Sequence, residues 1–166
     1  MRYGDAAPMP AIFKKGDIFG EGLKAFAQGC NCAGSMDSGI AVAFKKRWPR
    51  MEADYRARCA DGRFHLGDVF VWSEEDTTVF NIGIQENWKQ RATMAALSRG
   101  MKRTLELAVA AGIERIGVPR IGAGLGGLEW PRVRSILTEV SDAAPVTLVV
   151  FEQFIRSRPD AEPESD

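Results

Sequence analysis

Short runs rich in β-forming residues occur at 11–14, 25–30, 68–72, 78–84, 115–119 and 146–151, and each is read as a strand. Between them, apolar residues recur at helical spacing. Ile40, Phe44 and Trp48 lie four apart, as do Leu97, Met101 and Leu105 before Gly112 stops the turn. Pro49 separates the first helix from a second over 51–60. Pro131 opens another helix through Val133, Ile136, Leu137 and Val140, which ends at Ala143, Ala144 and Pro145.

Strands alternating with helices predict a layered α/β domain. Two strands follow one another directly, 68–72 and 78–84, across an acidic turn at 73–76, and so read as a hairpin. The sheet is therefore expected to be mixed.

The length of 166 residues fits one domain, placed at 11–155, with Ala/Pro-rich residues 1–10 and Pro-, Ser- and acid-rich residues 156–166 read as disordered tails. Hydrophobic residues at 45% exclude disorder throughout. Lys+Arg and Asp+Glu balance at 22 each, so no global positive field gathers nucleic acid or anionic membrane. An anionic ligand must be gripped by local geometry. No apolar run approaches the roughly 18 residues of a membrane span, and 1–10 lacks the layout of a secretory signal, so a cytoplasmic protein is expected.

Cys30, Cys32 and Cys59 are an odd set in a chain long enough to bury a core, which argues against a disulfide framework. Cys-x-Cys is too tight for a zinc knuckle and His65 is the only histidine, so no metal is expected.

Two glycine-rich segments carry the chemistry: Gly34-Ser35-Met36-Asp37-Ser38-Gly39 and Gly122-Ala123-Gly124-Leu125-Gly126-Gly127. Each follows a predicted strand and precedes a predicted helix. Such turns expose backbone N–H groups without side-chain obstruction, and a following helix N-terminus favours anions by about 0.3 to 1 kcal/mol. Two of them at the carboxyl ends of strands in one sheet form a crevice suited to a diphosphate. The alternative is that the glycines only make tight turns. Gly122, Gly124 and Gly127 also match the dinucleotide fingerprint, with Glu152 as its ribose-binding acid. Only one strand follows, however, and the phosphate-binding lysine of a P-loop is missing.

Gly16-Asp17-Ile18, Gly29-Cys30-Asn31-Cys32 running into Gly39-Ile40-Ala41, and Pro119-Arg120-Ile121-Gly122-Ala123-Gly124-Leu125 together resemble the macro domain family over roughly 12–152. The resemblance implies a three-layer α/β/α fold with a mixed central sheet flanked by helices, and ADP-ribose bound above the sheet. The segment from Cys-Asn-Cys to Trp48-Pro49 is most similar to the branch holding the ADP-ribose 1''-phosphate phosphatase and the terminal ADP-ribose protein glycohydrolase. By resemblance, Asp17, beside Ile18, accepts from the adenine amine, and Asn31 binds the distal ribose hydroxyls. Asn31 could instead cap the strand end. Gly39, Ile40, Ile121, Gly122, Ala123, Gly124, Leu125 and Gly126 are expected around the diphosphate and distal ribose. Phe151 packs either on adenine or in the core.

Departures from the family pattern bear on catalysis. Gln28 stands where the phosphatases carry histidine, and Gln85 and Gly126 align with the glycohydrolase's nucleophilic lysine and its aspartate. Lys89, four residues beyond Gln85, reads as surface charge, and His65 as structural or surface. Asp37 and Ser38 replace glycines; Asp37 either turns outward or orients water at the ribose. The expected chemistry is substrate-assisted: water held by the ligand's phosphate and loop amides attacks the distal ribose C1'', with Asn31 and Asp37 as the candidate catalytic side chains. Esters to Asp or Glu are the expected substrates, because a carboxylate departs with little protonation. A non-catalytic reader and an ADP-ribose 1''-phosphate phosphatase are the alternatives. No cofactor is expected. The implied partners are ADP-ribose and mono-ADP-ribosylated protein, with nucleic-acid-linked ADP-ribose a further candidate over a rim of Lys45, Lys46 and Arg47 that reads equally as a solvated helix face.

Overall fold

Alternation along one strand, Ala25–Asn31, divides the protein into two cores. In this computed structural model, which describes residues 11–156, the chain runs β1 (Ala11–Gly16), β2 (Ala25–Asn31), α1 (Ala41–Arg47), α2 (Pro49–Ala60), β3 (Val69–Glu74), β4 (Thr77–Gln85), α3 (Met94–Ala110), β5 (Arg115–Val118), α4 (Trp130–Asp142) and β6 (Thr147–Phe154). Of the tails proposed for 1–10 and 156–166, all but the exposed Arg156 lie outside the described residues. Ala25 and Ala27 pack with Phe80 and Ile82 of β4 against Leu97 and Met101 of α3 and Val133 and Leu137 of α4. Phe26 and Cys30 face the other way, toward Phe44 of α1 and Met51 and Tyr55 of α2. The result is three layers, α/β/α.

The strand order is β1-β6-β5-β2-β4-β3, parallel throughout except for the antiparallel pair β3/β4. The expected hairpin and mixed sheet are both present. The turn is tighter than the predicted 73–76, since Glu74 pairs with Thr77 and Glu75 takes φ 56°. β6 runs past its predicted end at 151 because, after a bulge at Glu152, Gln153 and Phe154 still find Lys15 and Gly16 of β1 as partners.

Local chemistry explains the helix boundaries. Trp48 precedes a proline and leaves the helical region at φ −130°, ψ 71°, which separates α1 from α2. The Thr93 side chain caps α3 by accepting from Ala96 N at 3.1 Å. Among the described residues no helix is long and apolar enough to cross a membrane.

Candidate functional site

β2 and β5 are neighbours, yet the helices that follow them, α1 and α4, pack on opposite faces of the sheet. The two connections diverge, and a crevice opens above the carboxyl ends of the strands. Its volume is about 400 Å³, within the roughly 300 to 1,000 Å³ of small-molecule sites. Gly29, Ile84 and Ile121 line its base. A Cβ on Gly29 would stand 2.5 Å from Ile84 Cδ1 and 3.0 Å from Ile121 Cγ1, so close packing requires glycine there. By strand order, Phe151 and Phe154 mark the β6 end of the crevice, and Gln85 and Trp88 mark the β4 end.

Asn31 closes β2 and shapes the first wall. Its Oδ1 accepts from Ala33 N at 3.0 Å, Ser35 N at 3.1 Å and the Tyr55 hydroxyl at 2.8 Å, and its Nδ2 donates to Ser35 O at 3.0 Å. The capping alternative is therefore present in the structure, and one Nδ2 hydrogen remains. Ser38, Gly39 and Ile40 continue this wall, with Gly39 at φ +62°, a conformation that favours glycine.

Gly122, Gly124, Leu125 and Gly126 form the opposite wall beside Ile121. The turn closes on itself through Gly127 N to Gly124 O at 3.1 Å and Leu128 N to Gly122 O at 2.9 Å. Among the described residues the N–H groups of Leu125 and Gly126 have no backbone partner. The β4–α3 connection braces this turn from outside, Ala92 N donating to Gly126 O at 2.8 Å and Arg91 Nη2 to Gly127 O at 2.6 Å. The anion-binding capacity of the walls resides in these loop amides. α1 has only seven residues, and α4 begins beyond the turn at Trp130.

Four expected site residues do not line the crevice. Asp37 is turned outward: its carboxylate accepts from Lys45 Nζ at 3.0 Å and Ser35 Oγ at 3.1 Å, with 69% of the side chain exposed. The Lys45 ammonium and the Ser35 hydroxyl hold that carboxyl below the usual range. Ion pairing with Lys45 thus draws away the group expected to orient water. Ile18 is 1% exposed and packs in the core with Phe26 and Phe151. Ala123 lies behind the wall, against the α3/α4 core. Asp17 Oδ1 accepts from Phe19 N at 2.9 Å just past β1, where Gly16 packs near the Phe151 ring. Phe151 meets both alternatives, being 3% exposed and also lining the crevice.

Ionisable chemistry in the walls is sparse. Among the described residues that line the crevice, Arg120 and Glu152 are the only formally charged ones, and there is neither histidine nor lysine. Trp130 Nε1, donating at 2.8 Å, holds Glu152 below its ordinary range, with Arg134 adding to the effect. Burial raises the Cys30 thiol strongly, and burial with Glu86 nearby pushes Cys32 up to about 12, so both are poor nucleophiles. Gln28 is buried beneath the first wall and donates to Asn81 Oδ1 at 2.8 Å, while its Oε1 has no partner among the described residues. It does not line the crevice. No group of three or more metal-ligating side chains occurs among the described residues.

Trp88 and Phe154 belong to the site without having been expected there, and Gln85 lines it at the position that the resemblance gives to a lysine. Trp88 carried a readable signal: an indole among polar residues at 85–91, between a strand and a helix, has little reason to be buried, and 68% of it is exposed.

The Macro domain family model matches residues 27–137. The chain is 27% identical over 144 residues to a DNA ADP-ribosyl glycohydrolase of Mycobacterium tuberculosis, an alignment spanning 84% of this chain and 41% of that protein. It thus spans about two fifths of that relative's length. It is also 27% identical over 140 residues to an ADP-ribose 1''-phosphate phosphatase of Candida albicans, covering 75% of this chain and 90% of that one. Among solved structures, the macrodomain of Mycobacterium tuberculosis DarG matches with a TM-score of 0.78 at 27% identity, over 85% of this chain and 96% of that chain.

Proposed function

The chain belongs to the macro domain family, and on that premise we propose that its crevice binds ADP-ribose and that the protein hydrolyses mono-ADP-ribosyl linkages. The observation that carries this reading is the pair of glycine-rich walls facing each other where β2 and β5 part. Their amides suit a diphosphate bridging the β5 and β2 ends. Adenine then lies toward β6, near Phe151 and beside the Asp17 turn, and the distal ribose lies toward β4, between Asn31 and Gln85. Asn31 acts chiefly as a positioning residue that sets the first wall, its remaining Nδ2 hydrogen serving a ribose hydroxyl.

With Gln85 at the β4 end and no lysine among the lining residues, the attacking atom is a water oxygen rather than a side chain. Water held by the ligand's phosphate and the wall amides bonds to C1''. The C1''–oxygen bond breaks with its electron pair on the departing carboxylate, and the water proton passes through the phosphate to solvent. Linkages to Asp or Glu are favoured because this leaving group needs no acid.

The sparse ionisable lining supports a second reading, a module that retains ADP-ribosylated targets without turnover. The two separate on incubating catalytic amounts of protein with a glutamate-linked mono-ADP-ribosylated peptide, against a protein-free control for spontaneous ester loss, and detecting ADP-ribose by mass spectrometry. Many turnovers are expected. Retention of intact peptide without release makes the protein a reader, and neither release nor retention overturns both readings.

A further inference from the structure

Past the β4 end of the crevice, along the sheet's edge strand β3, a second hollow of about 430 Å³ is walled by Arg58, Arg63, Arg99 and Arg103. Asp68 is the only carboxylate among the described residues that line it. The four guanidiniums come from α2, the turn after it, and α3. In a chain whose charges cancel overall, four guanidiniums converge on one hollow, and the carboxylates that pair with three of them lie outside its lining.

Each guanidinium is fixed while keeping N–H groups in reserve. Arg58 bonds Asp54 through Nε alone at 3.2 Å and stacks over Phe70, its Cζ 4.2 Å from the ring centroid. Arg63 holds Asp61 at 3.1 Å, and Arg103 holds Glu106 through Nη1 at 3.2 Å. Asp54, Asp61 and Glu106 are absent from the hollow's lining. Arg99 donates to Leu66 O and lies over Gly67, where any side chain would take the guanidinium's place. A guanidinium has five N–H donors, so each retains at least three.

The hollow and the crevice share a backbone. Gly67 N donates to Gly83 O at 2.7 Å and Gly83 N to Asp68 O at 2.9 Å, and Gly83 stands two residues before Gln85 of the crevice. Trp88, 68% exposed, marks that same end.

We propose that the arginine hollow is a second anion site, taking the backbone phosphates of a single-stranded polynucleotide whose ADP-ribosylated nucleotide enters the crevice, with Trp88 as a stacking platform for a base. The proposal rests on the ADP-ribose reading for the crevice alone. Forked guanidiniums match phosphate oxygens geometrically. An exposed indole offers a face to an unstacked base, for which an acidic peptide has no use, and a base still paired in a duplex could not reach it.

The test is fluorescence anisotropy with an unmodified labelled single-stranded DNA oligonucleotide, and with RNA of the same sequence, over a range of salt. In parallel, ADP-ribose affinity is measured by calorimetry. Arg63→Glu combined with Arg103→Glu is expected to weaken oligonucleotide binding at least tenfold and to flatten the log–log salt slope by about 0.7 for each phosphate no longer neutralised. ADP-ribose affinity should be unchanged in that variant. Trp88→Ala should weaken the oligonucleotide by about tenfold. The tighter of the DNA and RNA arms identifies the sugar. Oligonucleotide binding indifferent to the arginine changes, or displaced equally well by polyglutamate, overturns the proposal. Arginine-dependent oligonucleotide binding by a protein that fails to bind ADP-ribose leaves the second site standing and removes the crevice reading.

Discussion

The Tyr55 hydroxyl lies 2.7 Å from the Asn31 carbonyl oxygen and 2.8 Å from Asn31 Oδ1, so α2 fastens the end of β2 where the first crevice wall begins. Tyr55 itself is fully buried, and burial with the surrounding thiols raises its phenol far above the ordinary value, so it remains a donor at every working pH. Tyr55→Phe removes that donor and keeps the ring. Denaturant unfolding should show a loss of about 1 to 2 kcal/mol, and calorimetry should show ADP-ribose binding weakened about fivefold as the wall loosens. Unchanged values for both would mean that the wall is held by something else.

Gly124 and Gly126 make a contrasting pair in the second wall. A Cβ on Gly126 would stand 2.6 Å from Gly122 O, a backbone atom, whereas a Cβ on Gly124 meets nothing within 4 Å. Gly126→Ala is expected to cost about 1 to 3 kcal/mol of stability and at least tenfold in ADP-ribose affinity. Gly124→Ala should leave thermal unfolding nearly where it was. Equal stability of the two variants would contradict the wall geometry. The same close approach means that an aspartate introduced at position 126 would distort the turn.

Much of this was readable in advance. The strands, the helix break at Pro49, the β3/β4 hairpin and the two glycine-rich turns are all local patterns, and local patterns survive folding. What could not be read depends on partners distant in sequence or on side-chain direction. The link from Asn31 to Tyr55 crosses 24 residues. Asp37 stands in the right loop but follows Lys45 outward, a choice between two directions that spacing does not encode. Phe154 enters the site because β6, after bulging at Glu152, continues to pair with Lys15 and Gly16 of β1.

Asp37 therefore makes a sharp test of side-chain direction. The lowered carboxyl keeps its ion pair with Lys45 above the ordinary carboxylate range and loses it only as pH falls through the depressed value. At neutral pH, Asp37→Asn should change ADP-ribose affinity less than threefold by calorimetry. A loss of tenfold or more would put the carboxylate inside the site.

Cys32, just past the end of β2, tests how strongly burial holds a thiol neutral. With its thiol pushed up to about 12, the thiolate at pH 8 is about one part in ten thousand. Alkylation by iodoacetamide, followed by peptide mass spectrometry, should be about a thousandfold slower in the folded protein than in urea. It should accelerate with pH well beyond the range of an ordinary cysteine. Equal rates in the folded and unfolded chain would mean that the thiol is not held in its neutral form.

The most direct measurement is multiple-turnover hydrolysis of a glutamate-linked mono-ADP-ribosylated peptide in ¹⁸O-labelled water, with both products weighed by mass spectrometry. Water attack at C1'' leaves the peptide's glutamate carboxylate unlabelled while ADP-ribose accumulates in excess over protein. Label in the glutamate, which would place the attack at the acyl carbon, or no turnover beyond the protein-free control, would contradict hydrolysis at the distal ribose.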